Sequence, residues 1–300
     1  MKKKTYLFAL MAMALTLGSC SDNENGIGGE TSKYITVSTS IGNMTRVATD
    51  AKGGQTFEEG DEISVYAWTG DATIAPDASE RVVNNAINKL TNGSWVSTPQ
   101  MLWKNNHDKH YFIGVYPTAA ISDLSAGEYT FDVNKQTESD LLVAVNPDGL
   151  SYSADAQQTV PLTFTHVMAK LAVNLTYKNQ WGGIPTVEKV VVGNAAKEAT
   201  INYLTKVVTP STTAKEDFSL PEITENTKYV SVIIPQEDVK QLTIVIGGKN
   251  FVYDNGTPFK LESGKITTVN LEVGRDEIKL GDVKITNWED GSTFSGEALN

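Results

Sequence analysis

The sequence predicts an all-β protein built of two β-sandwich domains in tandem. Three observations carry this prediction. Short apolar runs with period-2 alternation recur from Tyr34 to Ile285, punctuated by Gly, Pro and Asn-Gly turn signals. No segment shows a helical apolar stripe longer than about two turns. The polar break Ser151 to Gln158 separates two series of such runs, which sets the division at 34–157 and 158–300.

Residues 1–19 read as an export signal, with Lys2, Lys3 and Lys4 followed by the apolar run Tyr6 to Leu17. That run is too short to span a hydrocarbon core of about 30 Å, which takes about 20 residues. Cleavage would leave Cys20, the single cysteine of the chain, as the first residue, so no disulfide can form within it. Leu17-Gly18-Ser19-Cys20 resembles the lipobox of bacterial lipoproteins. That resemblance implies a diacylglyceryl thioether on Cys20, an acyl chain such as palmitate on its amine, and the outer membrane as a partner through the lipid. An ordinary signal peptide that happens to contain a cysteine is the plainer reading, and a lone free thiol in an exported protein argues against it. Losing three lysines lowers 25 basic side chains to 22 against 36 acidic ones, a balance of −14. That balance disfavours nucleic acid and anionic lipid surfaces as partners, since both need clustered Lys and Arg. Residues 20–33 form the lipidated tether, polar and Gly-rich from Ser21 to Lys33, with a reach of roughly 45 Å at full extension. Asp22 and Glu24 resemble the acidic signal that sends some lipoproteins to the outer face of the outer membrane; they suit a solvated linker equally well.

In the first series, Ile35, Val37, Thr39 and Ile41 alternate with polar residues, as in a half-buried strand. Ile63, Val65 and Ala67 do the same against Ser64, Tyr66 and Trp68. Asn92-Gly93 between Ala86–Leu90 and Ser94–Thr98 predicts a hairpin. His110 to Tyr116, Tyr129 to Val133 and Leu141 to Val145 add three strands, with Pro117 and Pro147 ending two of them. The second series holds Val160 to Phe164, Met168 to Tyr177, Val187 to Val192, Thr200 to Tyr203 and Tyr229 to Ile234. Leu242 to Ile246, Phe251 to Tyr253, Ile266 to Val273 and Ile278 to Ile285 complete it. Tyr203 to Glu225, rich in Thr, Ser, Pro and charge, predicts a long loop or an edge excursion.

Residues with catalytic or metal-binding potential are few. His107-Asp108-Lys109-His110 precedes a strand and predicts a surface turn, with only His166 as a further imidazole. His166 follows Phe164 in a strand and predicts a core histidine bonded to backbone. Glu58, Glu59, Asp61 and Glu62 predict a solvated acidic turn, because paired glycosidase carboxylates must face each other at roughly 5–9.5 Å across a cleft. Nucleophile elbow, phosphate loop and Cys/His dyad patterns do not occur in the sequence. The expectation is a non-enzymatic protein without a cofactor or metal.

An ordered set of short matches resembles the fimbrillin family, the lipoprotein-derived pilins of type V pili, including the Mfa-like and FimA-like fimbrial subunits. It comprises Thr45-Arg46, Phe57 to Ile63 with Val65-Tyr66, Trp95, Leu102-Trp103 and Tyr111 to Pro117. It continues with Leu162 to Leu171, Ile233 to Gln236, Gly264-Lys265 and Ile285 to Trp288. Trp103-Lys104 stands where a Trp-Pro pair is expected, which alters a loop only. The resemblance implies two transthyretin-like β-sandwiches, export as a surface lipoprotein, cleavage by an Arg-specific protease, and polymerisation with other fimbrial subunits in adhesive fimbriae. The processing bond it implies is Arg46-Val47. Removal of Tyr34 to Ile41 would leave a groove for a strand of another subunit. Glu277 to Trp288 has the composition of the donated strand, with Ile278, Leu280, Val283 and Ile285 as its apolar residues and Trp288 as anchor. Gly281-Asp282 interrupts the alternation, which predicts a bulge or a change of face. A donated terminal extension points to a shaft or adaptor subunit. The alternative is a surface lipoprotein that binds glycans on exposed Trp68, Trp95, Trp103, Trp181 or Trp288.

Overall fold

A computed structural model describes residues 33–42, 56–152, 159–254 and 256–288. Strands take up 56% of the described residues and helix 1%, as the alternating runs predict.

The first strands are β1 (Thr36–Ile41), β2 (Glu62–Thr69), β3 (Val83–Thr91), β4 (Ser94–Thr98), β5 (His110–Tyr116), β6 (Gly127–Thr130), β7 (Leu142–Leu150) and β8 (Thr159–His166). All but β6 form one seven-stranded sheet in the order β1-β8-β7-β5-β2-β3-β4. β8 belongs to this sheet by pairing with β1 and β7, although it lies past residue 157. The sheet curls until its two edges meet. Trp95 in β4 donates to the Thr39 hydroxyl in β1 at 3.0 Å, and the Ile35 N–H donates to the Met101 carbonyl at 3.0 Å. The enclosed core includes Val37, Val65, Phe112, Leu162 and Phe164. Gly114 sits on this concave face, where a Cβ would stand 2.6 Å from the Phe164 ring. The Asn92-Gly93 turn joins β3 to β4 with φ of 50° and 72°, the left-handed pair a tight hairpin requires.

β2 is not half-buried. Every residue from Ile63 to Trp68 is buried, because Tyr66 and Trp68 leave the sheet on its convex side and enter a second core. β7 also runs on past Pro147 to Leu150. Asn146 faces Phe112 and Leu150 faces His110, so residues 147–149 bulge opposite Tyr111, where Pro owes no ladder N–H.

The later strands are β9 (Ala169–Tyr177), β10 (Val187–Ala196), β11 (Glu198–Asn202), β12 (Val207–Pro210), β13 (Lys215–Ser219), β14 (Glu222–Thr224), β15 (Lys228–Ile233), β16 (Gln241–Ile246), β17 (Lys249–Asp254), β18 (Lys265–Val273) and β19 (Ile278–Asn287). They form a four-stranded sheet β13-β10-β16-β17 and a five-stranded sheet β14-β15-β9-β18-β19, and β12-β11-β6 makes a third. Leu171, Val173, Val190, Ile244 and Val269 from the first two of these share one core with Tyr66, Trp68 and Ile113. The stretch Tyr203 to Glu225 is an edge excursion in three pieces. Its β12, β13 and β14 are each the outermost strand of a different sheet, which suits polar strands with one hydrated face.

Candidate functional site

The candidate site consists of the first and last described strands, each at a sheet edge. β1 pairs with β8 in parallel over six consecutive residues with no shift of register. Its inward side chains Val37 and Ile41 are buried, as is Ile35 just before it, each contributing roughly 1.5–3 kcal/mol by removal from water. Thr39 is the polar member of the inward row, and its hydroxyl accepts the Trp95 indole N–H. On the outer face Thr36 meets Thr159 at 3.3 Å, and Ser40 donates to Thr163 at 3.2 Å. Cys20, Arg46 and Val47 lie outside the described residues.

β19 pairs antiparallel with β18, from Val273 opposite Ile278 to Lys265 opposite Asn287. The predicted bulge is present: Leu280 faces Leu271 and Asp282 faces Asn270, which leaves Gly281 as the extra residue. A Cβ on Gly281 would stand 3.2 Å from the Asn270 carbonyl oxygen. The bulge corrects the broken alternation, so Ile278, Leu280, Val283 and Ile285 all lie across from the inward residues Val273, Leu271, Val269 and Thr267. Yet Leu280, Val283 and Ile285 remain 38%, 37% and 39% exposed. Their burial is incomplete because β19 is the last strand of its sheet.

Polar contacts and the two strand ends hold β19 instead. Asn174 donates to Asn270 at 2.7 Å and Asn270 donates to Asp282 at 2.6 Å, a ladder across three strands. At one end Lys178 donates to Glu277, which holds that carboxyl below its ordinary range. At the other end Trp288 is buried, and its N–H donates to the Gly264 carbonyl at 2.9 Å. The Trp288 indole lies flat on the His166 ring, 4.0 Å between centroids and 7° from parallel, with the Lys170 ammonium 3.9 Å from the ring centre. His166 is therefore a core histidine, but its Nδ1 meets the Asp140 carboxylate at 2.8 Å and not a backbone group. Its Nε2 has no hydrogen-bond partner among the described residues. The contacts of Trp288 with His166 and Lys170 join positions over a hundred residues apart, and no local pattern marks either as its partner.

The other candidates resolve into structural roles. Asp61 caps the Glu58 N–H at 2.7 Å, Glu59 accepts the Asn92 N–H at 2.9 Å, and Glu62 pairs with Lys89 at 2.9 Å, so the acidic cluster organises turns. His107 is exposed, whereas His110 is fully buried, contrary to a simple surface turn. Its Nε2 accepts the Lys104 N–H at 3.0 Å and its Nδ1 lies 3.1 Å from the Asp108 carbonyl. Among the described residues, no three His, Cys, Asp or Glu side chains gather as metal ligands. Trp68, Trp103 and Trp288 are buried and Trp95 and Trp181 half-buried, so none offers a free stacking platform.

A family model described as fimbrillin-like matches residues 45–288, ending at the Trp288 anchor. The chain belongs to the fimbrillin-like family. This fimbrillin is similar to the candidate fimbrium subunit Fim1C of Bacteroides uniformis, 24% identical over 315 residues that cover 97% of each chain. In fold it resembles a crystal structure of a candidate cell adhesion protein from Bacteroides uniformis, with TM-score 0.63 and 20% identity over 85% of this fimbrillin and 99% of that chain. It also resembles the C-terminally truncated tip fimbrial protein Mfa3 of Porphyromonas gingivalis, with TM-score 0.50 and 12% identity over 77% of this chain and 95% of the other.

Proposed function

We propose that this fimbrillin is a non-enzymatic structural subunit of an adhesive cell-surface fimbria. In this reading it is exported as a lipoprotein through Cys20, held at the outer membrane by its lipid, and cut between Arg46 and Val47 by an Arg-specific protease. It then polymerises with other fimbrial subunits by strand exchange, as a shaft or adaptor element. The body is two tandem transthyretin-like sandwiches, expected at 34–157 and 158–300, with β8 carried into the first. Family membership supports the fimbrial role, as does the full-length similarity to a protein named as a fimbrium subunit. The observation that carries the exchange step is the position of β1. It is an edge strand with three buried apolar side chains, joined to the body by one parallel ladder and a few contacts to residues 95–103. Its removal would open an apolar slot bordered by unpaired β8 backbone, the form of site that takes an added strand. Glycan binding finds less support, since the Trp side chains it needs are occupied in packing.

Amino-terminal sequencing of the surface-assembled form tests the processing step, with Val47 as the expected first residue. Arg46→Ala should remain uncut and monomeric, and Cys20→Ala should lose fatty-acid labelling. An Arg46→Ala protein that still polymerises, or labelling that survives Cys20→Ala, would refute the corresponding step.

A further inference from the structure

We propose that the seat of β1 accepts only a strand of unbroken alternation, with a hydroxyl in its third inward position. Gly281 keeps the β19 of a second copy out of that seat, so the partner strand comes from a different subunit. This rests on the strand-exchange reading above.

The seat is defined by what now fills it. Ile35, Val37 and Ile41 occupy three apolar sites spaced two, then four residues apart, and Thr39 occupies the site between, under the Trp95 N–H. A strand with an apolar residue in that third site would leave the indole donor unpaired. Six successive pairs to β8 run without a shift, and the outer hydroxyl contacts to Thr159 and Thr163 depend on the same register.

β19 has the right residues in the wrong spacing. With Ile278 and Leu280 in the first two sites, Asp282 falls at the place of Thr39 and Lys284 at the buried site of Ile41. No ungapped placement of residues 277–288 fills all three apolar sites. Against β18 the bulge at Gly281 repairs this, but that pair is antiparallel, whereas the seat demands a strand parallel to β8. Bulges are common between antiparallel strands and rare between parallel ones. The device that lets β19 close its own sheet therefore unfits it for its own kind of seat. Removing Gly281 would bring Ile278, Leu280, Val283 and Ile285 into strict alternation.

The test uses the purified full-length chain carrying Arg275→Lys, digested with an arginine-specific protease so that β1 is held only non-covalently. Arg81 is buried, with its guanidinium on the carbonyls of Pro76, Ile121 and Ser122. Labelled peptides then compete for the seat: residues 34–41, the same with Thr39→Val, residues 277–288, and 277–288 lacking Gly281 and carrying Val283→Thr, which sets a hydroxyl in the third inward position. The 34–41 peptide should bind, and the peptide lacking Gly281 should bind about tenfold or more tighter than its native counterpart, the worth of one filled apolar site. Thr39→Val should weaken binding, and that difference should vanish in Trp95→Phe protein. If the 34–41 peptide fails to bind, strand exchange at this seat is wrong, and the proposal with it. If it binds but the two 277–288 peptides bind equally, exchange stands and the selection by spacing is overturned. A second variant needs no processing: a full-length chain with one glycine inserted between Val37 and Ser38, which copies the spacing of β19 into β1. Its melting temperature should fall by about 4 °C or more, and an unchanged value overturns the proposal.

Discussion

Tyr66 shows at the scale of one residue how the two cores are tied together. Its ring enters the second core, while its hydroxyl donates to the Ala119 carbonyl and accepts the Ile121 N–H at 2.9 Å. Burial pushes the phenol pKa up, and the Arg81 guanidinium lies 5.5 Å from the ring. Tyr66→Phe keeps the packing and strands two backbone groups, so it should cost about 1–3 kcal/mol in urea unfolding. A loss within about 0.5 kcal/mol, the range of ordinary surface changes, would mean that water replaces the hydroxyl. Burial also makes stability sensitive to the charge of His110. Its two partners fix the neutral tautomer with the proton on Nδ1, and burial holds its pKa below the ordinary 6.5. The folded pKa is thus depressed, so as pH falls the unfolded chain takes up the proton first. The stability from neutral His110 is present above about pH 6.5 and is lost as pH falls from there toward the folded pKa. Thermal melts from pH 7.5 to 5 should show this decline, and His110→Gln should flatten it. A slope identical in the two proteins would assign the pH dependence elsewhere.

At the scale of an element, β19 is a strand whose apolar side chains do little to hold it. Three of its apolar residues stay more than a third exposed, and the Lys178–Glu277 pair at one end is screened by water. The largest desolvated contact is Trp288 on His166 and Lys170. Trp288→Ala should therefore free β19 while leaving β18 and β9 paired through their own parallel ladder. Hydrogen exchange at Lys279 to Asn287 should accelerate by about tenfold or more, with β9 amides unchanged. Equal protection of β19 in both proteins would show that the backbone ladder alone retains it.

At the scale of the whole molecule, the question is whether the body stands without its last strand. β18 keeps β9 as a neighbour, and its inward residues Val269, Leu271 and Val273 belong to the main core with or without β19. Deleting Asp276 to Asn300 should leave a folded, lipidated monomer that unfolds cooperatively and cannot extend a polymer. An aggregated or rapidly degraded product would count against donation of β19, and a folded product that still polymerises would sink it.

The sequence by itself determined the all-β class, nearly every strand, the Asn92-Gly93 hairpin and a break in alternation at Gly281-Asp282, because each is written in local spacing, and its ordered motifs carry the family resemblance. Alternation reports a pleat, a left-handed dipeptide reports a turn, and a broken period reports an extra residue. Only the tertiary structure decided which faces are covered. Ile63 to Trp68 read as a strand with one wet side, and the second core met by Tyr66 and Trp68 is assembled mostly from residues beyond 120. Likewise the pairing of β8 into the first sheet, the seating of Thr39 under Trp95 and the stack of Trp288 on His166 join segments 56 to over 120 residues apart. Local spacing carries no information about such contacts, since they depend on how sheets curl and where their edges come to rest.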